Sequence, residues 1–274
     1  MNDATFSTGK VFLIGAGPGD PKLLTIKAAE AIAAADVIVF DYLVNPEVLA
    51  HSRRGAELIY AGKRAGEHLM SQDEINQLLI ARARQGQIVA RLKGGDPFIF
   101  GRGGEEAEAL VDADVTWEVV PGVSSGIAAA AYAGIPLTHR GYSSSVAFIT
   151  GHDAANGGKR PVDWSAAARG ADTLVIFMCA ETIGKIAREL VRSGRAASTP
   201  IAILRWGTYE HQEIYSGTLD ELLEADEYDS DFKIEPPALA IIGEVAALAA
   251  KLRWFGQDEL SYSLGSRLAA ATNG

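Results

Sequence analysis

Of the 274 residues only one, Cys179, is a cysteine. No internal disulfide framework can form, which fits a reducing compartment. Long apolar runs are missing as well. Those present are broken by Gly, Pro or charge, and none approaches the ~20 residues a membrane helix needs. The stretch Met1 to Lys10 is polar and lacks the apolar core of a signal peptide. A soluble, cytoplasmic protein is therefore expected. Cationic excess is absent too: 25 Lys and Arg stand against 35 Asp and Glu, a net charge of -10. That argues against a general nucleic-acid binder, which needs clustered cations. It leaves room for an anionic small ligand, because a basic site can lie within an acidic protein. The histidines His51, His68, His139, His152 and His211 show no paired ligand spacing. With a single cysteine beside them, no metal or iron–sulfur site is expected. No Ser-His-Asp pattern or nucleophile elbow stands out.

What remains is an ordinary globular mix, 48% hydrophobic and 22% charged, in a length that suits two modest domains. Short β-branched runs alternate with helical patterns. Strands are predicted at Val11 to Ile14, Val37 to Phe40, Leu58 to Ala61, Ile88 to Leu92 and Trp117 to Val120. The helix expected from Thr25 to Ala35 would bury Ile26, Ala29, Ile32 and Ala33. Ser71 to Glu74 reads as a capping box ahead of an Ile75, Leu78 and Leu79 stripe. Further helices are expected near Glu105 to Val111 and Ser124 to Ala133. Such alternation implies crossover connections and a parallel sheet, with strands apolar on both faces.

After a polar stretch, Thr138 to Ser145, the rhythm restarts. Strands are predicted at Val146 to Thr150, Thr173 to Phe177, Ile201 to Leu204 and Ala238 to Ile242, with a short extra one at Glu213 to Ser216. Helical patterns fall near Ile183 to Arg192, Leu219 to Leu223 and Val245 to Phe255. The domains expected are therefore α/β units at 1–143 and 144–256, followed by a flexible tail at 257–274.

In open parallel sheets ligands bind beyond the carboxyl ends of the strands. Each predicted strand of the first domain ends in a glycine-rich or charged segment. These are Gly15-Ala16-Gly17-Pro18-Gly19-Asp20-Pro21, then Asp41, then Gly62-Lys63-Arg64, then Lys93-Gly94-Gly95-Asp96-Pro97, then Pro121-Gly122-Val123-Ser124-Ser125. One such tip is a turn; five together favour a site. A dinucleotide reading of the first is weak. Asp20 stands where the third glycine belongs, a carboxylate there repels pyrophosphate, and Pro18 and Pro21 remove N–H groups. A sulfonium cofactor suits better, since Gly94 and Gly95 permit close backbone approach and Asp96 supplies a carboxylate. On chemistry alone a plain turn, with Asp96 bonding its own backbone, weighs equally.

Three long segments resemble the tetrapyrrole methylase family: Val11 to Thr25, Leu92 to Glu106, and Val120 to Arg140. Gly62-Lys63-Arg64 with Gln72 to Asn76, and Gly134 to Arg140, favour a member acting on uroporphyrinogen III over other cobalamin-pathway methylases. The resemblance runs to about Phe255. It implies an α/β fold of two domains with mostly parallel sheets and a cofactor and substrate cleft between them. It implies S-adenosylmethionine as cofactor, S-adenosylhomocysteine as product, and two methylations at C2 and C7 that give precorrin-2 through precorrin-1. Carried over residue by residue, it places Pro18, Gly94, Gly95, Asp96, Ile99, Ser124, Ser125, Met178, Gly207 and Ala240 at the cofactor. It gives Asp41 a proton-accepting and Lys63 a proton-donating role. Read alone, Asp41 is a turn or cap and Lys63 a surface cation.

A substrate with eight carboxylates needs cations, and Arg91, Lys93, Arg102 and Arg140 lie close to the motif loops, with Arg64 beside them. Arginine suits carboxylates because its fork engages two oxygens. Arg102, framed by glycines and a phenylalanine, is the leading candidate. A homodimer is implied by the family, as are partners limited to the small tetrapyrrole, with neither nucleic acid nor membrane. Some relatives carry a dehydrogenase and ferrochelatase module for siroheme; this sequence opens at the methylase motif, so that module is not expected in it. The alternatives are a methylase of a later precorrin, a relative acting on RNA or a protein histidine, a nicotinamide-dependent oxidoreductase, and a non-catalytic binding module.

Overall fold

The computed structural model describes residues 9–62, 70–151, 161–229, 232–256 and 260–265. They form two compact units, Met1–Ser125 and Gly126–Gly274. The polar stretch at 141–144, where composition suggested a boundary, instead lies inside the second unit, just ahead of its first strand.

The first unit holds a five-stranded sheet. Its strands are β1 (Lys10–Gly15), β2 (Val37–Phe40), β3 (Glu57–Tyr60), β4 (Ile88–Lys93) and β5 (Thr116–Val120), in the spatial order β3-β2-β4-β1-β5. Every pairing is parallel. The pleat sends alternate residues to opposite faces. Val11, Leu13, Val37, Val39 and Val89 meet helices α2 (Gln72–Arg84) and α3 (Gly103–Asp112). Phe12, Ile14, Ile38, Ala90 and Leu92 meet α1 (Ile26–Ala34) and the short turn at Pro46–His51. The chain thus leaves β1 toward one face and β4 toward the other, although the two strands are neighbours. This is the switch point at which α/β sheets open a crevice at their carboxyl edge.

Local signals place the helix ends. Thr25 caps α1, its hydroxyl accepting the Ala28 N–H at 3.1 Å. The capping box at Ser71 and Glu74 is present in both directions. Gly86, at φ +80°, ends the segment after α2 in the left-handed region that glycine tolerates. The phase of α1 differs from the expected one. Ala28, Ala31 and Ile32 face the core, whereas Ile26 is 80% exposed. In a helix this rich in alanine several phases fit the pattern, and the cap geometry chooses among them.

In the second unit α4 (Ser125–Tyr132) leads into six strands. They are β6 (Val146–Thr150), β7 (Thr173–Phe177), β8 (Pro200–Arg205), β9 (Glu213–Thr218), β10 (Ala238–Ile242) and β11 (Ser261–Ser263), in the order β11-β9-β8-β10-β7-β6. This sheet is mixed. Strand β10 runs antiparallel to both β7 and β8, and β8 antiparallel to β9. The connection from β8 to β9 spans only 206–212, too short for the crossover a parallel pair requires. Helices α5 (Trp164–Gly170), α6 (Ile183–Arg192) and α7 (Leu219–Tyr228) follow in chain order. Helices α6 and α7 share one core with β7, β8 and β10. The other face packs on Ala129, Ala130 and Ala133 of α4 and its exit, which is why α4 belongs with this unit. The helix expected at Val245 to Phe255 is broken into a 3-10 turn, Glu244–Leu248, and α8 (Ala249–Leu252). Beyond 256, where a tail was expected, β11 pairs in parallel with β9 and Leu264 is fully buried. Among the described residues no helix is long and apolar enough to cross a membrane.

Candidate active site

The carboxyl ends of β1, β4 and β5 converge on backbone. Gly17 and Gly95 exchange main-chain hydrogen bonds, Gly95 N–H to Gly17 O at 2.7 Å and Gly17 N–H to Gly95 O at 3.3 Å. A Cβ on Gly122 would lie 2.4 Å from Gly95 O and 2.7 Å from Gly15 Cα. Only glycine lets these loops approach so closely. Asp96 ties them together: its carboxylate accepts the Gly122 N–H at 3.0 Å and the Phe98 N–H at 2.8 Å. The turn role weighed for Asp96 is therefore present. Pro18 is half-buried beside Gly17, and Ser124 is buried at the start of α4 with Ser125 following it. Asp20 accepts the Lys22 N–H at 2.8 Å and caps the short turn at Pro21–Leu23. A pyrophosphate at a Rossmann site would use such a donor, and here a carboxylate already holds it. The tip suits a cofactor without phosphate.

Beneath the tips lies a cluster of charges. In β4 the residues after Val89 on the α2 and α3 face are Arg91 and Lys93, and their side chains are 4% and 6% exposed. Their counter-ion is Glu106 of α3, whose side chain is 0% exposed. Its Oε1 accepts from Lys93 Nζ at 2.8 Å, Arg91 Nε at 3.1 Å and Gln72 Nε2 at 3.2 Å. The second guanidinium arm of Arg91 reaches Asp41 Oδ2 at 3.3 Å. Strand register makes that contact. Val39 stands opposite Arg91, and Asp41, two residues on, shares its face. The other Asp41 oxygen, Oδ1, accepts the Leu43 N–H at 3.1 Å. Asp41 remains 24% exposed, the one member of the cluster that reaches solvent to that extent. Burial, followed by the Arg91 charge, pushes the Lys93 ammonium below its usual range, against the raising influence of Glu106 and Asp41. Lys93 and Arg91, expected to meet substrate, are thus sunk in the protein with their charges already matched.

The connection from β4 to α3 carries the exposed apolar side chains Phe98, Ile99 and Phe100. Phe100 and Arg102 both adopt positive φ, 54° and 59°, a costly conformation for side-chain-bearing residues. Arg102 sits at the start of α3 with a 55% exposed side chain and a two-pronged pair with Glu105 at 2.9 and 2.6 Å. An exposed pair of this kind is weak and exchangeable.

In the second unit Met178 follows β7, half exposed, at φ 55°. Gly207 follows β8 between Trp206 and Thr208, both at positive φ, and a Cβ there would fall 2.3 Å from Ala129 Cβ. Ala240 differs from these two. It is the central residue of β10, opposite Ile176 and Ile203, and its methyl belongs to the apolar core. Arg140 is exposed on the turn that His139 and Ser143 close. Lys63, Arg64, His68 and His152 lie outside the described residues. Among the described residues no group of three or more His, Cys, Asp or Glu is placed to hold a metal ion.

Glu106 was not singled out from sequence. Its signal was indirect: an arginine and a lysine at alternate positions of an otherwise apolar strand demand a buried anion.

The profile of the tetrapyrrole (corrin/porphyrin) methylases matches residues 10–223. The uroporphyrinogen-III C-methyltransferase of Bacillus subtilis is 48% identical over 264 residues, which cover 95% of this chain and 100% of that one. The siroheme synthase of Sodalis glossinidius is 50% identical over 253 residues, 92% of this chain but 52% of its own length. The chain thus spans about half the length of that siroheme synthase. The crystal structure of the Thermus thermophilus uroporphyrin-III C-methyltransferase with S-adenosylhomocysteine superposes with a TM-score of 0.73 at 39% identity, covering 86% of this chain and 93% of that one. With more than half its length matched by the family profile, and a full-length relative at this identity, the chain belongs to the tetrapyrrole methylase family.

Proposed function

We propose that the chain is an S-adenosylmethionine-dependent methyltransferase that adds two methyl groups to pyrrole carbons of uroporphyrinogen III, yielding precorrin-2. The observation that carries this is Asp41, a carboxylate fixed at a strand tip by Arg91 beside a glycine-lined edge that accepts a cofactor without phosphate. The names borne by the relatives support the substrate.

The cofactor, when bound, supplies a methyl group on a positive sulfur. Pro18, Gly94, Gly95, Asp96, Ile99, Ser124 and Ser125 are the first unit's contacts to it, and Met178, Gly207 and the Ala240 backbone the second's. Gly94 and Gly95 let the main chain come close; Asp96 acts by holding the β4 and β5 loops in place. As a pyrrole carbon gains the methyl, its ring becomes positive until a proton leaves. Asp41 faces that charge, stabilises it and is the nearby base to which the leaving proton can pass, directly or through water. Its carboxylate is committed to Arg91 and to the Leu43 N–H, which suits a fixed counter-charge. Lys63 is proposed as the proton donor on family likeness alone. Substrate carboxylates are met by Arg102, which exchanges its exposed pair with Glu105 for them, and by the exposed Arg140. Arg91 and Lys93 act from below instead. A homodimer in the cytoplasm is part of the same proposal.

The test is anaerobic incubation with S-adenosylmethionine and freshly made uroporphyrinogen III, followed by mass spectrometry. The expected product carries two added methyl groups. Tight cofactor binding without methylation would move the substrate to a later precorrin, and loss of both would end the reading.

A further inference from the structure

The cluster under β2 and β4 holds two cations, Arg91 and Lys93, and two carboxylates, Glu106 and Asp41, and so is neutral only when both acids are ionised. The parts are not equivalent. Glu106 is fully buried, and its Oε1 takes donors from three side chains, Gln72 on α2 and Arg91 and Lys93 on β4. Its Oε2 has no partner among the described residues. Arg91 uses Nε for Glu106, Nη1 for the Leu92 carbonyl at 3.0 Å and Nη2 for Asp41. All of its nitrogens are therefore engaged, and a planar guanidinium held at three points has one orientation. Asp41 alone stands at the tip.

We propose that Glu106 is a positioning residue for methyl transfer. By fixing Arg91 from below it sets where the Asp41 carboxylate points, and by matching the second buried cation it leaves Asp41 at the surface. This rests on the function proposed above, in which Asp41 faces the reacting ring. Without the Glu106 charge, two buried cations share a single carboxylate, and Asp41 is drawn down toward Lys93 and away from the tip. Glu106 touches neither cofactor nor substrate in this account.

The experiment measures kcat, KM for both substrates and S-adenosylhomocysteine affinity for the wild type, Glu106→Gln, Asp41→Asn and the double variant. Glutamine keeps the size and one acceptor oxygen but removes the charge. The expected result is a kcat lowered by up to roughly a hundredfold, the scale of a misplacement near 1 Å. Cofactor affinity and KM should stay within about twofold, because a transition-state interaction alone is lost. In the Asp41→Asn background the same substitution should cost nothing further, since there is no longer a carboxylate to position. Should Glu106→Gln fail to fold, Arg91→Lys provides the second route. It keeps the positive charge, lacks the arm that reaches Asp41, and should give the same kcat loss with unchanged cofactor affinity. Unchanged kcat in Glu106→Gln, a raised KM at constant kcat, or losses that simply add to those of Asp41→Asn would overturn the positioning role. A wild type that binds cofactor yet methylates nothing would instead defeat the proposed function, and this inference with it.

Discussion

Arg91 Nη2 lies 3.3 Å from Asp41 Oδ2, across two neighbouring parallel strands. The contact joins a buried charge to a partly exposed one, and it gives the leading test of the site. Asp41→Asn keeps an acceptor for the Leu43 N–H but removes the negative charge. Methyl transfer should fall on the order of 10²–10³-fold, the range for removing one electrostatic stabiliser of a transition state, while S-adenosylhomocysteine binding by calorimetry should hold.

Removing Glu106 altogether is a matter of stability as well as activity. Glu106→Ala leaves Arg91 and Lys93 buried with one carboxylate between them and opens space in the α3 face. Breaking a buried pair in this way costs about 3–5 kcal/mol. Urea unfolding of the variant should show a midpoint lowered accordingly, with the m-value unchanged.

The close approach at the tips predicts an effect of a single methyl. In Gly122→Ala the new Cβ meets Gly95 O and Gly15 Cα at 2.4 and 2.7 Å, both backbone atoms that cannot rotate away. The β1, β4 and β5 loops must part, at a cost of about 1–3 kcal/mol for overpacking. Cofactor affinity should drop together with the melting temperature, whereas Gly104→Ala, with open space around it, should change neither.

Cys179 reports on the second unit. It is fully buried, and burial pushes its thiol up to about 12. Since the thiolate is the reactive form, a thiol reagent at pH 8 should leave the folded chain unmodified and titrate one group once it is unfolded. Rapid modification of the native protein would contradict this packing.

Acid should loosen the first unit through Glu118. Lys10 at 2.5 Å, and then Lys27, hold its carboxyl down to about 2, against an ordinary 4.5. Between those values the unfolded chain binds the proton and the folded one does not. The contribution is therefore complete above about 4.5 and is lost as the pH falls toward about 2. Glu118→Gln should flatten the fall in melting temperature between pH 5 and 3, and added salt should shrink the difference, since the group is partly exposed to solvent.

Much of the first unit was legible from its residues because its strands are short apolar runs and α1 and α2 carry side-chain caps. The Ser71–Glu74 box acts on its own neighbours, so it reads the same in sequence and in structure. The second unit was less legible in direction. Parallel and antiparallel strands of a covered sheet have the same apolar content, and only the pairing of β10 between β7 and β8 fixes its sense. Helix α5 and strand β11 were missed, being short and weakly patterned, and β11 exists by pairing with β9.

By itself the sequence determined the family, the glycine-rich strand tips and the presence of Asp41, Arg91 and Lys93 near them, because these are matters of residue type and spacing. Tertiary structure decided what those charges face. The pleat of β4 turns Arg91 and Lys93 inward, the register of β2 brings Asp41 onto the same face, and α3 sets Glu106 beneath them. A buried charge must find its partner through space, and that partner is not fixed by its distance along the chain.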